Sequence, residues 1–228
     1  GVSGSGKSSL VKAGLIPYLR TNNEQGWHII PTIRPGESPF VALAEVIVGK
    51  TEINGSKIDA INSLSETFKQ APQQFIAVIA NWRQIPANAT LLLVIDQFEE
   101  LITISKPQER EQFLTFLAEA LAAHSQKLHI ILTLRSDFEP RFLDSALKSD
   151  WVNARFPVRP MRSDELRQAI ERPALEKMLD FEPPNLVDKL IDEVGQMPGA
   201  LSLLSFTLSE LYIKCIEADR GNRNLTEA

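Results

Sequence analysis

Apolar residues fall along this chain in two kinds of pattern. Apolar-rich runs come in "WHIIPTI" at 27–33, in "LLLVI" at 91–95 just before Asp96, and in "HIILTL" at 129–134 just before Arg135. The five consecutive apolar residues of "LLLVI" read as a strand covered on both faces, as in a parallel sheet, and the other two segments read as further strands. "RFPVRP" at 155–160 is a candidate last strand. Between the runs, apolar positions recur at helical spacing. Leu10, Val11, Gly14, Leu15, Tyr18 and Leu19 predict a helix after residue 7, which Pro17 should end or kink. Ser38–Pro39 is a cap and first-turn pair for a helix through Val48. Helical stretches follow near 57–70 and 73–84, beyond a loop around "NGSK". Phe113, Phe116, Leu117, Ala120 and Leu121 form one face of a helix over 107–124. After residue 160 the pattern is helical only, over 164–180, 185–195 and 200–217. The expected fold is therefore α/β, a parallel sheet flanked by helices over 1–160, with a small all-helical subdomain over 161–228.

The first eight residues change this picture from architecture to chemistry. "GVSGSGKS" matches G-x-x-x-x-G-K-[ST] through Gly1, Gly6, Lys7 and Ser8. Glycines let the backbone turn successive N–H groups inward around phosphate oxygens, and the following helix offers its N-terminus to an anion. The nucleotide-binding candidates are Gly1, Ser3, Gly4, Ser5, Gly6, Lys7, Ser8 and Ser9. Lys7 has the reach for the terminal phosphates, and the Ser8 hydroxyl can ligate Mg²⁺. Because the sequence starts inside this motif and without Met, it reads as a piece of a longer protein.

A phosphate loop calls for an acidic residue at the end of a buried strand, and Asp96 supplies it. There a carboxylate can hold Mg²⁺ directly or through water. Glu99 and Glu100 follow, and either can orient or deprotonate an attacking water. Arg135, at the end of the next strand, can contact a γ-phosphate or else pair with Asp137 or Asp96. Asp137 and Pro140 suit a helix start behind it.

Composition narrows the partners. Among 228 residues, 24 Lys and Arg against 29 Asp and Glu give a formal charge of −5, which argues against nucleic acid as a default ligand. The one cysteine, Cys215, excludes a disulfide framework and a multi-cysteine zinc site, and reads as a core thiol. His28, His124 and His129 lack ligand spacing. Without a membrane-length apolar run or a signal peptide, the expected location is cytoplasmic.

Taken in order, "GVSGSGKSSLVKAGLIP", "RPGESPF", "LLLVIDQFEEL", "LTLRSDF", "ELRQAIERPA" and "MPGALSLLSFTLSEL" resemble the STAND group of signal-transduction NTPases, relatives of AAA+ ATPases, and most of all the bacterial novel STAND type. That resemblance implies Walker A roles for Lys7 and Ser8, the Walker B role for Asp96 and the sensor position for Arg135. "IDQFEEL" is also similar to the Asp-x-x-acid-Glu form of NACHT NTPases, which implies a catalytic acidic pair in Glu99 and Glu100. ATP or ADP with Mg²⁺, WD-repeat or effector domains in the parent chain, and a homo-oligomer on activation are implied likewise. Ser202 stands where the family's helical lid usually has a proline, while Gly199 and Leu201 fit. A winged-helix domain is expected beyond the end of this sequence.

Two functions follow as expectations. One is a nucleotide-operated switch with slow ATP hydrolysis, closed with ADP and open and self-associating with ATP. The other is an interaction module that binds nucleotide without turnover. A DNA-loading relative suits the acidic balance poorly, and a small-molecule kinase would not need the acidic cluster followed by an arginine.

Overall fold

The computed structural model describes residues 1–23, 26–49, 56–86, 88–195, 199, 201–217 and 224–226. They fall into two compact units, Lys7–Phe156 and Gly1–Gly6 with Pro157–Ala228. The loop residues Gly1–Gly6 thus group with residues 157–228, while Lys7 and Ser8 begin the larger unit.

The larger unit is built on a three-stranded parallel sheet of β1 (Trp27–Ile29), β2 (Thr90–Ile95) and β3 (Leu128–Leu132), in that spatial order. Parallel neighbours need crossover connections. Helices Pro39–Val48, Lys57–Gln70 and Phe75–Arg83 lie between β1 and β2 in the chain, and Glu100–Thr103 and Pro107–Ala123 between β2 and β3. β2 is buried from Leu91 to Ile95, as its unbroken apolar run predicts. Its odd positions, Leu91, Leu93 and Ile95, join the main core. Its even positions, Leu92 and Val94, pack with Val11 and Ile16 of the first helix. This is a strand's two-residue period serving two cores at once.

The main core is a phenylalanine cluster. Phe40 meets Phe113 edge-on at 5.1 Å, and Phe75 meets Phe116 at 5.1 Å. These side chains tie three helices into the core that covers one face of the sheet.

The first helix departs from its expected face. It runs as Lys7–Ser9, a π-helical stretch Leu10–Leu15, and Ile16–Thr21. Pro17 neither ends it nor occupies a tight turn. Ahead of it the helix widens, with the Ile16 N–H donating to the Val11 carbonyl five residues back. A wide turn relieves the clash of a proline ring with the preceding turn. The widening also rotates the register, so Val11 and Ile16 are buried while Leu10 and Tyr18, expected on the apolar face, are exposed.

β1 is shorter than "WHIIPTI". Pro31 has no N–H for the ladder, and pairing resumes at Ile33, which bridges Ile95. "RFPVRP" forms no strand: residues 155–160 have no ladder partner among the described residues, and 157–160 belong with the smaller unit.

The smaller unit holds helices Ser163–Glu176, Leu186–Gly195 and Leu201–Glu217. The helical reading of 164–180 stops early because Met178 takes a left-handed conformation, φ 54°. The chain then forms β4 (Asp180–Glu182), parallel to β5 (Asn224–Thr226), so two short strands accompany the helices. Leu166, Ile170, Leu186, Val187, Leu190, Ile191 and Leu204 make its core. Cys215 packs against Ala174, Leu211 and Leu225.

Candidate functional site

Where β2 ends, its neighbours hold it on both sides. The Asp96 N–H donates to the Ile33 carbonyl at 2.8 Å, and the Thr133 N–H to the Ile95 carbonyl at 3.0 Å. This ladder puts the Asp96 side chain between the end of β1 and the end of β3, wholly out of solvent.

A buried carboxylate needs partners for both oxygens. Oδ1 accepts two hydroxyls, Ser8 at 2.5 Å and Thr133 at 2.6 Å. Oδ2 receives cations, the Lys12 ammonium at 2.5 Å and the Arg34 guanidinium at 3.8 Å. Thr133 is oriented for its task. Its hydroxyl accepts the Gln97 N–H at 3.0 Å, which directs its own proton toward Asp96. Gln97 itself is held left-handed, φ 55°, so the chain turns sharply after Asp96. Burial pushes the Asp96 carboxyl pKa up, but hydrogen bonds from Lys12, Ser8 and Thr133 outweigh it and keep the group below its ordinary value of 3.8. Asp96 is ionised at neutral pH.

Glu99 and Glu100, adjacent in sequence, do different things. Glu100 Oε2 accepts the Gly36 N–H at 3.0 Å, while Ser105 donates to the Gly36 carbonyl at 2.5 Å. Glu100 is thereby committed to the "RPGESP" turn that carries Arg34. Glu99 faces the other way, toward Lys7 and the Arg135 N–H, which lies 3.4 Å from its Oε2. Burial lowers the Lys7 pKa and the Arg135 charge adds to that, while Glu99, Asp137 and Asp96 act in the opposite sense. The Arg135 guanidinium holds Asp137 in two hydrogen bonds, at 3.1 and 2.7 Å, and lies over the Phe138 ring at 5.3 Å. Asp137 is therefore spent on Arg135 rather than on a helix cap.

Within the smaller unit the glycine loop is tightly drawn. Gly4 and Gly6 have φ of 69° and 82°. A methyl group on Gly4 would stand 2.4 Å from the Gly199 Cα, so only glycine permits this approach. The Ser5 hydroxyl is buried with no hydrogen-bond partner among the described residues. A turn of backbone donors with an orphaned hydroxyl fits an anionic group such as phosphate. Ser3 is exposed on this loop, and Gly1 runs against the Val158 carbonyl. Ser9 is exposed at the helix start, beside Ser8. Ser202, at the start of the last helix, is exposed.

The donor set also suits a hard divalent cation. Mg²⁺ is held by one or two carboxylate or hydroxyl oxygens plus nucleotide phosphates, and the Ser8 hydroxyl and Asp96 carboxylate are oxygens of that kind side by side. The Lys12 ammonium already stands as a cation on that carboxylate. No group of three or more acidic, His or Cys residues suited to holding a metal occurs among the described residues, and the three histidines are not brought together. No helix among the described residues is long and apolar enough to cross a membrane.

Lys12, Arg34 and Thr133 were not among the residues singled out from sequence. Lys12 had a signal: it lies four residues after Ser8, one helical turn on, and interrupts an otherwise apolar stretch. Thr133 and Arg34 had a weaker one, each being the polar residue where a parallel strand runs out.

A family model described as Novel STAND NTPase 1 matches residues 1–228. No curated protein matches the chain.

Proposed function

Because the chain belongs to the Novel STAND NTPase 1 family, we propose that it is the ATP-binding, Mg²⁺-dependent and slowly hydrolysing switch module of a signal-transduction protein. The observation that carries this reading is the Ser8 hydroxyl at 2.5 Å from the Asp96 carboxylate, across 88 residues of sequence. That contact joins the phosphate-loop motif to the acidic strand end, the pairing that nucleotide and metal require.

In this reading the backbone N–H groups of Gly1–Ser9 cradle the phosphates, and the Lys7 ammonium reaches the terminal ones. Bound Mg²⁺ would supply charge neutralisation at the phosphate oxygens. Ser8 and Asp96 would hold it. Glu99 is the base: its carboxylate lies toward Lys7, is engaged by one long contact from the Arg135 N–H at 3.4 Å, and can take a proton from the attacking water. Glu100 positions the Arg34 turn. Arg135, released from Asp137, is the group that senses the terminal phosphate. Slow turnover suits a switch, since the bound nucleotide must persist long enough to set the conformation. A few kcal/mol of differential affinity between ADP and ATP is enough to shift a two-state equilibrium. The output would be self-association in the cytoplasm and control of attached effector or WD-repeat domains.

The experiment is to release and identify nucleotide from the purified full-length protein and from its Lys7→Ala variant. Stoichiometric ADP in the parent, lost in the variant, supports a resting switch. A protein empty of nucleotide that also ignores added ATP and Mg²⁺ overturns the reading: the motif is then vestigial and the chain a scaffold.

A further inference from the structure

The two oxygens of Asp96 are partitioned by charge. Neutral hydroxyls from Ser8 and Thr133 hold Oδ1, and cations from Lys12 and Arg34 take Oδ2. We propose that Lys12 is a positioning residue of the metal site, an internal counter-ion that occupies Asp96 Oδ2 and must be displaced by the divalent cation. This rests on the reading of Ser8 and Asp96 as metal ligands.

Exposure supports displacement. The Asp96 side chain is 0% exposed, whereas that of Lys12 is 41% exposed. Lys12 and Arg34, the latter 57% exposed, both close the carboxylate from the solvent side, and the Lys12 ammonium is the nearer of the two to Oδ2. A lysine head on a flexible four-carbon stem can swing into water and stay hydrated, so leaving does not disturb the packing beneath it. Val11 and Ile16, which anchor the same helix, are buried independently of Lys12. Arg34 is less suited to the capping task. It stands at 3.8 Å, and its turn is pinned through Gly36 by Glu100 and Ser105.

The consequence is a competition. Without Lys12 the carboxylate would attract any available cation; with it, the site is neutralised from within and accepts a divalent ion only when the nucleotide phosphates add their own ligands. Lys12 thus couples metal binding to nucleotide binding. A merely structural ion pair would not do so, because its removal would change stability and leave the intrinsic metal affinity where it was.

The test is Mn²⁺ binding to the full-length protein, followed by electron paramagnetic resonance with and without ADP and without turnover. Lys12→Gln is expected to tighten Mn²⁺ binding in the nucleotide-free protein by about tenfold, the scale of one charge-assisted contact. Lys12→Arg, which keeps the charge, should stay near wild type. Adding Asp96→Asn to Lys12→Gln should remove the gain. Unchanged or weaker Mn²⁺ binding in Lys12→Gln, while ADP-dependent binding is intact in wild type and lost in Asp96→Asn, overturns the counter-ion role alone. A gain that survives Asp96→Asn also overturns it. Failure of wild type and every variant to bind Mn²⁺, even with ADP, overturns the metal-site reading and this inference together.

Discussion

Glu100 accepts the Gly36 N–H at 3.0 Å, a contact that ties the acidic motif after β2 to the turn after β1. It divides two adjacent glutamates that sequence could not tell apart. A glutamine at position 100 keeps an acceptor oxygen for Gly36, whereas an alanine leaves that N–H unpaired. Glu100→Gln should therefore hold the 34–37 turn as wild type does, and Glu100→Ala should loosen it. Amide hydrogen exchange at Gly36 is the measurement: protection retained in the first variant and reduced in the second. Equal protection in both would remove Glu100 from this role.

Thr133 is the quieter partner of Asp96. Replacing it by valine keeps the shape but leaves the half-buried Gln97 N–H without its acceptor and takes one donor from the buried carboxylate. Thr133→Val should cost about 1–3 kcal/mol of stability, and Thr133→Ser much less. Urea unfolding of the two variants reads this directly, and equal midpoints would contradict it.

Gly4 has two reasons to be glycine, its φ of 69° and the Gly199 backbone beside it. Gly4→Ala is expected to cost about 1–2 kcal/mol from the left-handed conformation alone, with the 2.4 Å contact adding to it. Thermal unfolding should move to lower temperature, and nucleotide retention should fall with it. An unshifted transition would mean that the two glycines do not meet in solution.

In the smaller unit, Glu165 accepts two hydrogen bonds from Arg159 and one from the Arg162 N–H at the start of its helix. The Arg159 guanidinium is the leading cause that pulls its pKa from 4.5 down to about 2. A depressed folded-state value means that the contribution to stability is present above pH 4.5 and is lost as pH falls toward 2. A carbon-detected NMR titration should place the Glu165 midpoint near 2, and Arg159→Gln should raise it toward 4.5. A midpoint already near 4.5 in wild type would show the pair to be open.

Much of this site was legible in the sequence because its chemistry is local. Five apolar residues before Asp96 sufficed to place a buried parallel strand, and the glycine spacing before Lys7 and Ser8 marked a tight loop with positive φ at Gly4 and Gly6. Pro39 and the face from Phe113 to Ala120 gave their helices for the same reason, since a first-turn proline and periodicity act within a few residues, although Ser38 heads its helix without a side-chain capping bond. What escaped was non-local. Thr133 and Lys12 reach Asp96 from 37 and 84 residues away, and only the parallel register and the widened helix bring them there. The π-helical turn ahead of Pro17 also hid which side of the first helix is buried. "RFPVRP" has strand-like residues, but a strand is made by its neighbour, and it has none among the described residues.

In the proposed function Glu99 is the base of a nucleotide site built on Ser8 and Asp96. Single-turnover phosphate release from ATP, measured on full-length wild type, Glu99→Gln and Glu100→Gln at equal nucleotide occupancy, tests it most directly. Glu99→Gln should bind ATP normally and release phosphate at least about a hundredfold more slowly, the usual worth of a positioned base, with Glu100→Gln close to wild type. Wild-type release from Glu99→Gln, or the large loss falling on Glu100→Gln instead, would contradict the account.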